Sequence, residues 1–192
     1  MPKLRIGLLG GSFNPAHAGH LHISVEALRR LRLDQVWWLV SPQNPLKSTD
    51  GMAPLIDRLN SADRWALHPA IRVSDLETRL GTRYTVDTVH ALKRRFPDHR
   101  FVWLMGADNM VQFPRWARWR EIAEAVPIAV FARNRMAHRA LAGRLAGCYA
   151  HNRVRDPRVL VQAHPPAWSF LFIPPHPASS TALRRESGQE IR

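Results

Sequence analysis

The chain has 192 residues, and its 45% hydrophobic content is typical of a folded globular protein rather than a disordered one. Its apolar runs are far shorter than the ~20 residues of a transmembrane helix, its first residues do not resemble a signal peptide, and its single Cys148 excludes an internal disulfide. We therefore expect a cytoplasmic protein. The formal net charge of +13 comes from basic residues spread along the chain, which indicates a surface suited to anionic substrates.

Segments with strand-like and helix-like patterns alternate along the sequence. In chain order, the patterns predict strands at 3–9, 34–41, 71–75, 100–106, 127–132 and 169–173. They predict helices at 19–31, 54–68, 85–96, 107–113, 119–125, 136–147 and 179–186. This alternation predicts an α/β fold with a doubly wound, Rossmann-like, mostly parallel sheet, in a single domain that spans residues 1–192. Ligands of such sheets bind beyond the carboxyl ends of the strands.

A loop rich in glycine and histidine follows the first predicted strand and leads into the first helix. Its glycines let the backbone approach a ligand closely, and a helix N-terminus offers N–H groups and a positive dipole end to an anion. His17 and His20 can donate hydrogen bonds to a phosphate as negative charge develops on it. The segment lacks the GxGxxG spacing of a dinucleotide site and the Gly-Lys-Ser/Thr ending of a P-loop. A zinc site is not favoured, because no cysteine cluster or H-E-x-x-H motif accompanies the histidines.

Later segments place polar and aromatic residues where a nucleotide or a carboxylate could bind. Gly106 and Asp108 follow the predicted strand 100–106, and Thr85 begins a predicted helix. Three hydroxyl residues at 179–181 begin the last predicted helix. Taken alone, the hydroxyl residues are better explained as helix caps, and a cap is also the simpler explanation of Thr85. For Trp116, packing is the alternative to a role in ligand stacking.

Taken together, these motifs resemble those of the nucleotidyltransferase superfamily. The H-x-G-H of residues 17–20 and the Ser-Thr-Ala-Leu-Arg of residues 180–184 are similar to its two signatures. The Gly-Ala-Asp-Asn-Met of residues 106–110, the Phe-Pro-Arg-Trp of residues 113–116 and the Arg-Tyr-Thr of residues 83–85 resemble the bacterial nicotinate-nucleotide adenylyltransferase family. The resemblance extends over nearly the whole chain, with the motifs in the family's order.

The resemblance implies an enzyme of NAD biosynthesis that transfers the adenylyl group of ATP to nicotinate mononucleotide and releases pyrophosphate. His17 and His20 would be the catalytic residues. The implied ATP-binding residues are Gly10, Gly11, Ser12, Phe13, Gly19, Gly106, Asp108, Ser180, Thr181 and Arg184. The implied nicotinate mononucleotide-binding residues are Asn44, Lys47, Tyr84, Thr85 and Trp116. Mg²⁺ would be carried by ATP, no resident metal is expected, and neither a nucleic acid nor a membrane is expected as a partner.

Two positions depart from the family's pattern, and two other functions stay open. Asn14 stands where aspartate is usual, and Leu46 stands where the acceptor loop usually has histidine. One alternative is an adenylyl- or cytidylyltransferase of the same fold that uses another phosphate acceptor. The other is a basic RNA-binding α/β module, which the net charge favours but for which the sequence has no RNA-recognition signature.

Overall fold

A computed structural model describes residues 3–43, 51–132 and 137–174. Within these ranges six strands form one sheet in the order β3-β2-β1-β4-β5-β6, and every neighbouring pair is parallel. The strands are β1 (Arg5–Gly11), β2 (Gln35–Val40), β3 (Ile71–Ser74), β4 (Arg100–Gly106), β5 (Ile128–Ala132) and β6 (Trp168–Phe172). The predicted doubly wound α/β fold is confirmed, and these strands are parallel throughout.

Helices connect the strands and cover both faces of the sheet. They are α1 (Ala18–Arg30), α2 (Leu55–Trp65), α3 (Leu76–Arg79), α4 (Thr85–Arg95), α5 (Ala107–Gln112), α6 (Trp119–Ala125), α7 (Ala137–Leu141) and α8 (Arg144–Cys148). None of these helices combines the length and the apolar character that crossing a lipid bilayer requires. The last predicted helix, 179–186, lies outside the described residues.

The predicted helix at 136–147 is wrong in its continuity. The structure has two short helices there, α7 and α8, separated by Ala142 and Gly143. The backbone of Gly143 is extended, with φ −82° and ψ 170°, and its N–H donates to the carbonyl of Ala140. Gly143 therefore lies in the break between the two helices and directly precedes α8, which is consistent with the weak helix propensity of glycine.

Four short helical segments in the described ranges were not predicted as such. Helix α3 spans four residues, and three 3₁₀ segments occupy Phe113–Arg115, Ala150–Asn152 and Pro157–Gln162. A segment of three to six residues is too short to show helical periodicity in a sequence. In Phe113–Arg115, Pro114 lacks the N–H that a continuing α-helix would need, so the predicted helix 107–113 ends as α5 followed by a tighter turn.

The strands are buried on both faces, as their near-continuous apolar sequences predict. Side chains alternate along β4: Phe101, Trp103 and Met105 join one hydrophobic cluster, whereas Val102 and Leu104 join the other. Helices α4 and α6 pack on the first cluster and α1 on the second. The two layers hold the central strands β1 and β4 in a fixed position between them.

A close contact between Gly10 and Trp103 joins the two central strands. A Cβ atom at Gly10 would lie 2.6 Å from the six-membered ring of Trp103, which is less than real Cβ contacts allow. Trp103 is only 1% exposed, so its indole has little room to move away. The sequence predicted that Gly10 lets the backbone approach a ligand. The structure adds a second reason for glycine at this position, which is the packing of Trp103.

We expect Gly10→Ala to lower the free energy of unfolding by about 1–3 kcal/mol, the usual cost of overpacking a core. Gly147→Ala is the matched control, because nothing lies within 4 Å of a Cβ atom at that exposed helical position. Urea denaturation of both variants measures the difference. Adding Trp103→Phe to Gly10→Ala should recover part of the loss, since the smaller ring vacates the contact. A Gly10→Ala variant as stable as wild type would contradict the packing constraint.

Candidate active site

The carboxyl ends of β1 and β4 bring two of the predicted motifs together. The two strands pair with Leu9 opposite Leu104, so the loop after Gly11 and the turn at Gly106 lie at one edge of the sheet. The chain adds β2 and β3 on one side of this pair and β5 and β6 on the other. Such a switch in strand order is the place where doubly wound sheets bind ligands.

The two predicted catalytic histidines begin helix α1 and cap it. His17 is the N-cap residue, and its Nδ1 accepts a hydrogen bond of 3.0 Å from the N–H of Gly19. The Nδ1 of His20 accepts a hydrogen bond of 3.2 Å from the N–H of His17. A capping box needs acceptors three residues apart, and in this loop two imidazoles supply them. A neutral imidazole that accepts at Nδ1 carries its proton on Nε2, and can donate from that atom.

The histidine rings are held in place by aromatic neighbours. The ring centroids of His17 and His20 are 3.9 Å apart, and the ring of Phe13 lies 4.6 Å from that of His20. Phe13 in turn stacks on the buried Trp38 at 5.1 Å. Ser24 completes the support, because its hydroxyl donates to the carbonyl of His20 and accepts from the indole N–H of Trp38.

The buried position of Phe13 limits what it can offer a nucleotide. Its side chain is 1% exposed, and its φ of 48° lies in the left-handed region that non-glycine residues rarely adopt. The ring therefore serves packing, whereas its backbone N–H could contact a phosphate. The N–H of Gly19 already donates to His17, so Gly19 has a capping role in this structure.

Gly106 and Asp108 form a second part of this edge, at the start of α5. Gly106 is the residue before the helix, and Asp108 lies in its first turn. A Cβ atom at Gly106 would clash with Oδ1 of Asp108, so glycine leaves the space that the carboxylate occupies. The motif thus places one half-buried carboxylate beside the histidine loop.

The predicted acceptor residues lie on α4 and after β4. Tyr84 is the residue before α4, Thr85 is its first residue, and neither makes a side-chain cap there. Trp116 is half-buried and meets Trp103 edge to face with ring centroids 6.1 Å apart. Because Trp103 also contacts Gly10, a single buried indole links the strand before the histidine loop to the predicted stacking residue.

Arg58 is a buried cation that the sequence did not single out. It lies on α2, is 2% exposed, and donates hydrogen bonds of 2.6–3.0 Å to four backbone carbonyls. The acceptors are the carbonyls of Ser12, Ser41, Pro42 and Ala53. Burial lowers the pKa of Arg58, but guanidinium stays charged in proteins. One cation therefore ties together the loops after β1 and β2 and the residues before α2.

Asn14 makes a second connection between these loops. Its amide donates to the carbonyl of Gly51 at 3.0 Å, and its side-chain oxygen accepts from the N–H of Ala53 at 3.1 Å. An aspartate at this position could accept the second hydrogen bond but could not donate the first. The departure from the family's usual residue thus has a structural use in this chain.

A buried carboxyl group, Glu77, lies between β2 and α4. Burial raises the pKa of Glu77, while hydrogen bonds with the hydroxyls of Ser41 and Thr88 act in the opposite direction. The Oγ1 of Thr88 is 3.4 Å from Oε1 of Glu77 and 2.8 Å from the hydroxyl of Thr82. Glu77, like Arg58, was missed by sequence reasoning. Nothing in the spacing of α3 marks it as buried.

Several predicted residues fall outside the described ranges. Asn44 and Lys47 of the acceptor loop, and Ser180, Thr181 and Arg184 of the last motif, are among them, so their roles stay predictions. Among residues 3–43, 51–132 and 137–174, no three His, Cys, Asp or Glu side chains cluster as metal ligands would. The described part of the site consists of histidines, backbone N–H groups, one aspartate and aromatic rings.

Comparisons with known proteins show the family of this chain. Residues 8–186 match the family model described as cytidylyltransferase-like. A relative from Parvibaculum lavamentivorans is 53% identical, and the match covers 100% of this chain and 96% of that protein. One from Gluconobacter oxydans is 55% identical over 97% of this chain and 96% of its own length. Both bear the name probable nicotinate-nucleotide adenylyltransferase.

Solved structures share the fold. The Plasmodium falciparum nicotinic acid mononucleotide adenylyltransferase complexed with NaAD matches with a TM-score of 0.71 and 16% identity. The match covers 95% of this chain and 83% of that one. The same enzyme complexed with APC matches with a TM-score of 0.69 and 15% identity. The high identity to the bacterial relatives is the decisive finding, and by it the chain belongs to the nicotinate-nucleotide adenylyltransferases of the cytidylyltransferase-like family.

Proposed function

We propose that this chain transfers the adenylyl group of ATP to nicotinate mononucleotide and forms nicotinate adenine dinucleotide and pyrophosphate. The observation that carries the proposal is the pair of histidines that begins α1 at the switch point of the sheet. The names of the bacterial relatives and the NaAD complex of the Plasmodium enzyme support this choice of substrates. The reaction belongs to NAD biosynthesis, and its expected location is the cytoplasm.

The reaction needs alignment and charge stabilisation more than proton transfer. A phosphate oxygen of nicotinate mononucleotide attacks the α-phosphorus of ATP, and the bond from that phosphorus to the bridging oxygen of the β-phosphate breaks. The acceptor is already an anion, so no general base is required. His17 and His20 would donate from Nε2 to the oxygens on which negative charge grows, which is the kind of contact that stabilises a transition state.

The remaining ATP contacts follow from the predicted motifs. The backbone N–H groups of the loop at Gly11, Ser12 and Phe13 would face the phosphates, and Asp108 would accept from the ribose hydroxyls. Ser180, Thr181 and Arg184 would hold the departing pyrophosphate, for which the planar fork of arginine is suited. These assignments are proposals for residues whose order along the chain follows the family's motifs.

Mg²⁺ would accompany the nucleotide rather than occupy a protein cage. The donor set fits this arrangement: Asp108 lies in the first turn of α5, after β4, and no metal-ligand cluster occurs in the described ranges. Mg²⁺ retains several waters and is often bound through substrate phosphates with few protein ligands. When bound, it would neutralise phosphate charge. The protein's own groups would orient the α-phosphate.

The acceptor site would combine a ring surface with helix-start N–H groups. Trp116 would stack on the flat nicotinate ring, for which an indole is well suited. Tyr84 and Thr85 begin α4, where unpaired backbone N–H groups favour a carboxylate. Asn44 and Lys47, which follow β2 in the sequence, would contact nicotinate mononucleotide. A neutral carboxamide would satisfy the same donors less well than an anion.

A basic cleft is the observation that favours the RNA-binding alternative. This open cleft of about 740 Å³ is lined by Arg29, Arg30, Arg155, Asp156, Pro157 and Arg158. It lies at the C-terminal end of α1, away from the histidines at the N-terminal end. Glu26 pairs with two of its arginines and Asp156 with a third, so much of its charge is neutralised. We therefore place RNA binding second.

Product analysis tests the proposed function directly. The purified protein is incubated with Mg²⁺, ATP and one acceptor at a time, and the products are identified by mass. Nicotinate adenine dinucleotide with stoichiometric pyrophosphate is the expected result. Turnover with only a different phosphate acceptor would support the related transferase. Release of no pyrophosphate with any acceptor would contradict an enzymatic function.

His20→Ala should lower kcat by about 100-fold or more, because one hydrogen bond to the transition state is lost. His151→Ala is the matched control, since that histidine is exposed in a 3₁₀ segment far along the chain. Steady-state kinetics with a melting curve for each variant provide the measurement. A folded His20→Ala protein with near-normal kcat would show that the ring serves only to cap α1.

The acid should be preferred to the amide by at least about tenfold in kcat/KM. Poorly paired buried donors cost ~1–3 kcal/mol, and ~1.4 kcal/mol corresponds to a factor of ten. Trp116→Ala should weaken both acceptors and leave ATP binding nearly unchanged, whereas Trp65→Ala, at the exposed end of α2, should change neither. Rates with nicotinate and nicotinamide mononucleotides measure the preference. Equal kcat/KM for nicotinate and nicotinamide mononucleotides would contradict the proposal that the site recognises a carboxylate.

A further inference from the structure

We propose that Arg58, Ser41 and Glu77 are positioning residues that hold the nucleotide-binding loop and the acceptor-binding helix α4 in register for transfer. The inference rests on the proposed function, because it concerns the spacing between the sites of the two substrates. None of these three residues is proposed to touch a substrate. Their part-buried hydrogen bonds reach Ser12 at one end and, through Thr88, Tyr84 at the other.

The first connection is made by Arg58. Its Nη1 donates to the carbonyl of Ser12 at 2.8 Å and to the carbonyl of Ser41 at 2.6 Å. Its other two nitrogens reach the carbonyls of Pro42 and Ala53. Lysine has the same charge, but its compact ammonium group cannot span acceptors spread in this way. The guanidinium therefore sets the distance between the loops after β1 and β2.

The second connection passes through Ser41. Its carbonyl accepts from Arg58 at 2.6 Å, its N–H donates to the carbonyl of Gly11 at 2.9 Å, and its hydroxyl donates to the carbonyl of Gln43 at 3.1 Å. The same hydroxyl acts to lower the pKa of Glu77 against the effect of burial, so the residue after β2 acts on both a buried cation and a buried carboxyl group. Glu77 is 5% exposed, so water cannot readily replace these contacts.

The third connection joins Glu77 to the start of α4. The hydroxyl of Thr82 lies 2.8 Å from that of Thr88 and can donate to it. The Thr88 proton is then shared between Oε1 of Glu77 at 3.4 Å and the carbonyl of Tyr84, the residue before α4, at 3.3 Å. Glu77 also holds the loop between α3 and α4 through its backbone, because its carbonyl accepts from the N–H of Thr82 at 2.9 Å.

Such a network suits a reaction that depends on alignment. Two bound substrates react rapidly only when the attacking oxygen and the phosphorus are held at the right separation, and small misplacements are costly. Burying a guanidinium and a carboxyl group is unfavourable unless both are well paired. Arg58 and Glu77 lie between the two proposed substrate sites and not in the apolar core around β5. This position indicates that they maintain the spacing between the sites.

The dinucleotide product is the probe that separates positioning from general stability. Nicotinate adenine dinucleotide occupies both sites at once, so its affinity depends on their separation, whereas ATP and nicotinate mononucleotide each report on one site. The variants are Arg58→Lys, Glu77→Gln and Ser41→Ala. Ser41→Ala removes one hydroxyl and retains the carbonyl that Arg58 uses, so it should fold even if the other two do not. Arg64→Lys, exposed on the same helix, is the matched control.

Calorimetric titration of each protein with ATP, nicotinate mononucleotide and the dinucleotide gives three dissociation constants. We expect the dissociation constants for ATP and for nicotinate mononucleotide each to change by less than about threefold. The dissociation constant for the dinucleotide should rise by more than the product of those two changes, and kcat should fall by about tenfold or more. The control should match wild type. A dinucleotide constant that rises only by that product would overturn the inference. Failure of the wild-type protein to bind the dinucleotide would instead contradict the proposed function.

Discussion

The parallel pairing of β1 with β4 is the constraint on which the candidate site depends. Because parallel strands end at the same edge, the pairing brings the histidine loop and the Gly106 turn side by side, although about 90 residues separate them in the sequence. The absence of a side chain at Gly10 lets Trp103 pack across the pair, and Trp103 in turn supports Trp116. A packing requirement in the core therefore determines where an aromatic surface lies at the edge.

Most of the fold could be predicted from the sequence, because its strands are buried on both faces. Continuous apolar runs gave β4 its observed limits, and apolar spacing gave those of α6. The errors occur where local chemistry outweighs periodicity. Gly143 divides a predicted helix in two, and the Asp156 carboxylate caps the 3₁₀ segment that follows it. Neither effect extends over enough residues to leave a periodic pattern.

The candidate site was predictable where its chemistry is local, and not where it is assembled from distant parts. His17 and His20 are three residues apart, and the structure uses that spacing for a capping box. Arg58 could not be found in this way, since an arginine in an amphipathic helix is usually exposed. Its burial depends on two loops, after β1 and after β2, that meet only in the folded chain. The same holds for Glu77, whose side chain meets Thr88 of α4 and whose pKa is affected by Ser41, the residue after β2.

This contrast explains why the two halves of the site differ in their physical support. On the proposed nucleotide side, the histidines orient themselves, since the hydrogen bonds that start α1 also fix their rings. Helix formation and placement of the two imidazoles are therefore one event. On the proposed acceptor side, Thr85 and Trp116 belong to separate segments, and no local motif can set their distance from the histidines. That distance must come from side chains that cross between segments. Buried polar groups with directional hydrogen bonds specify such a separation better than apolar contacts, which tolerate small displacements.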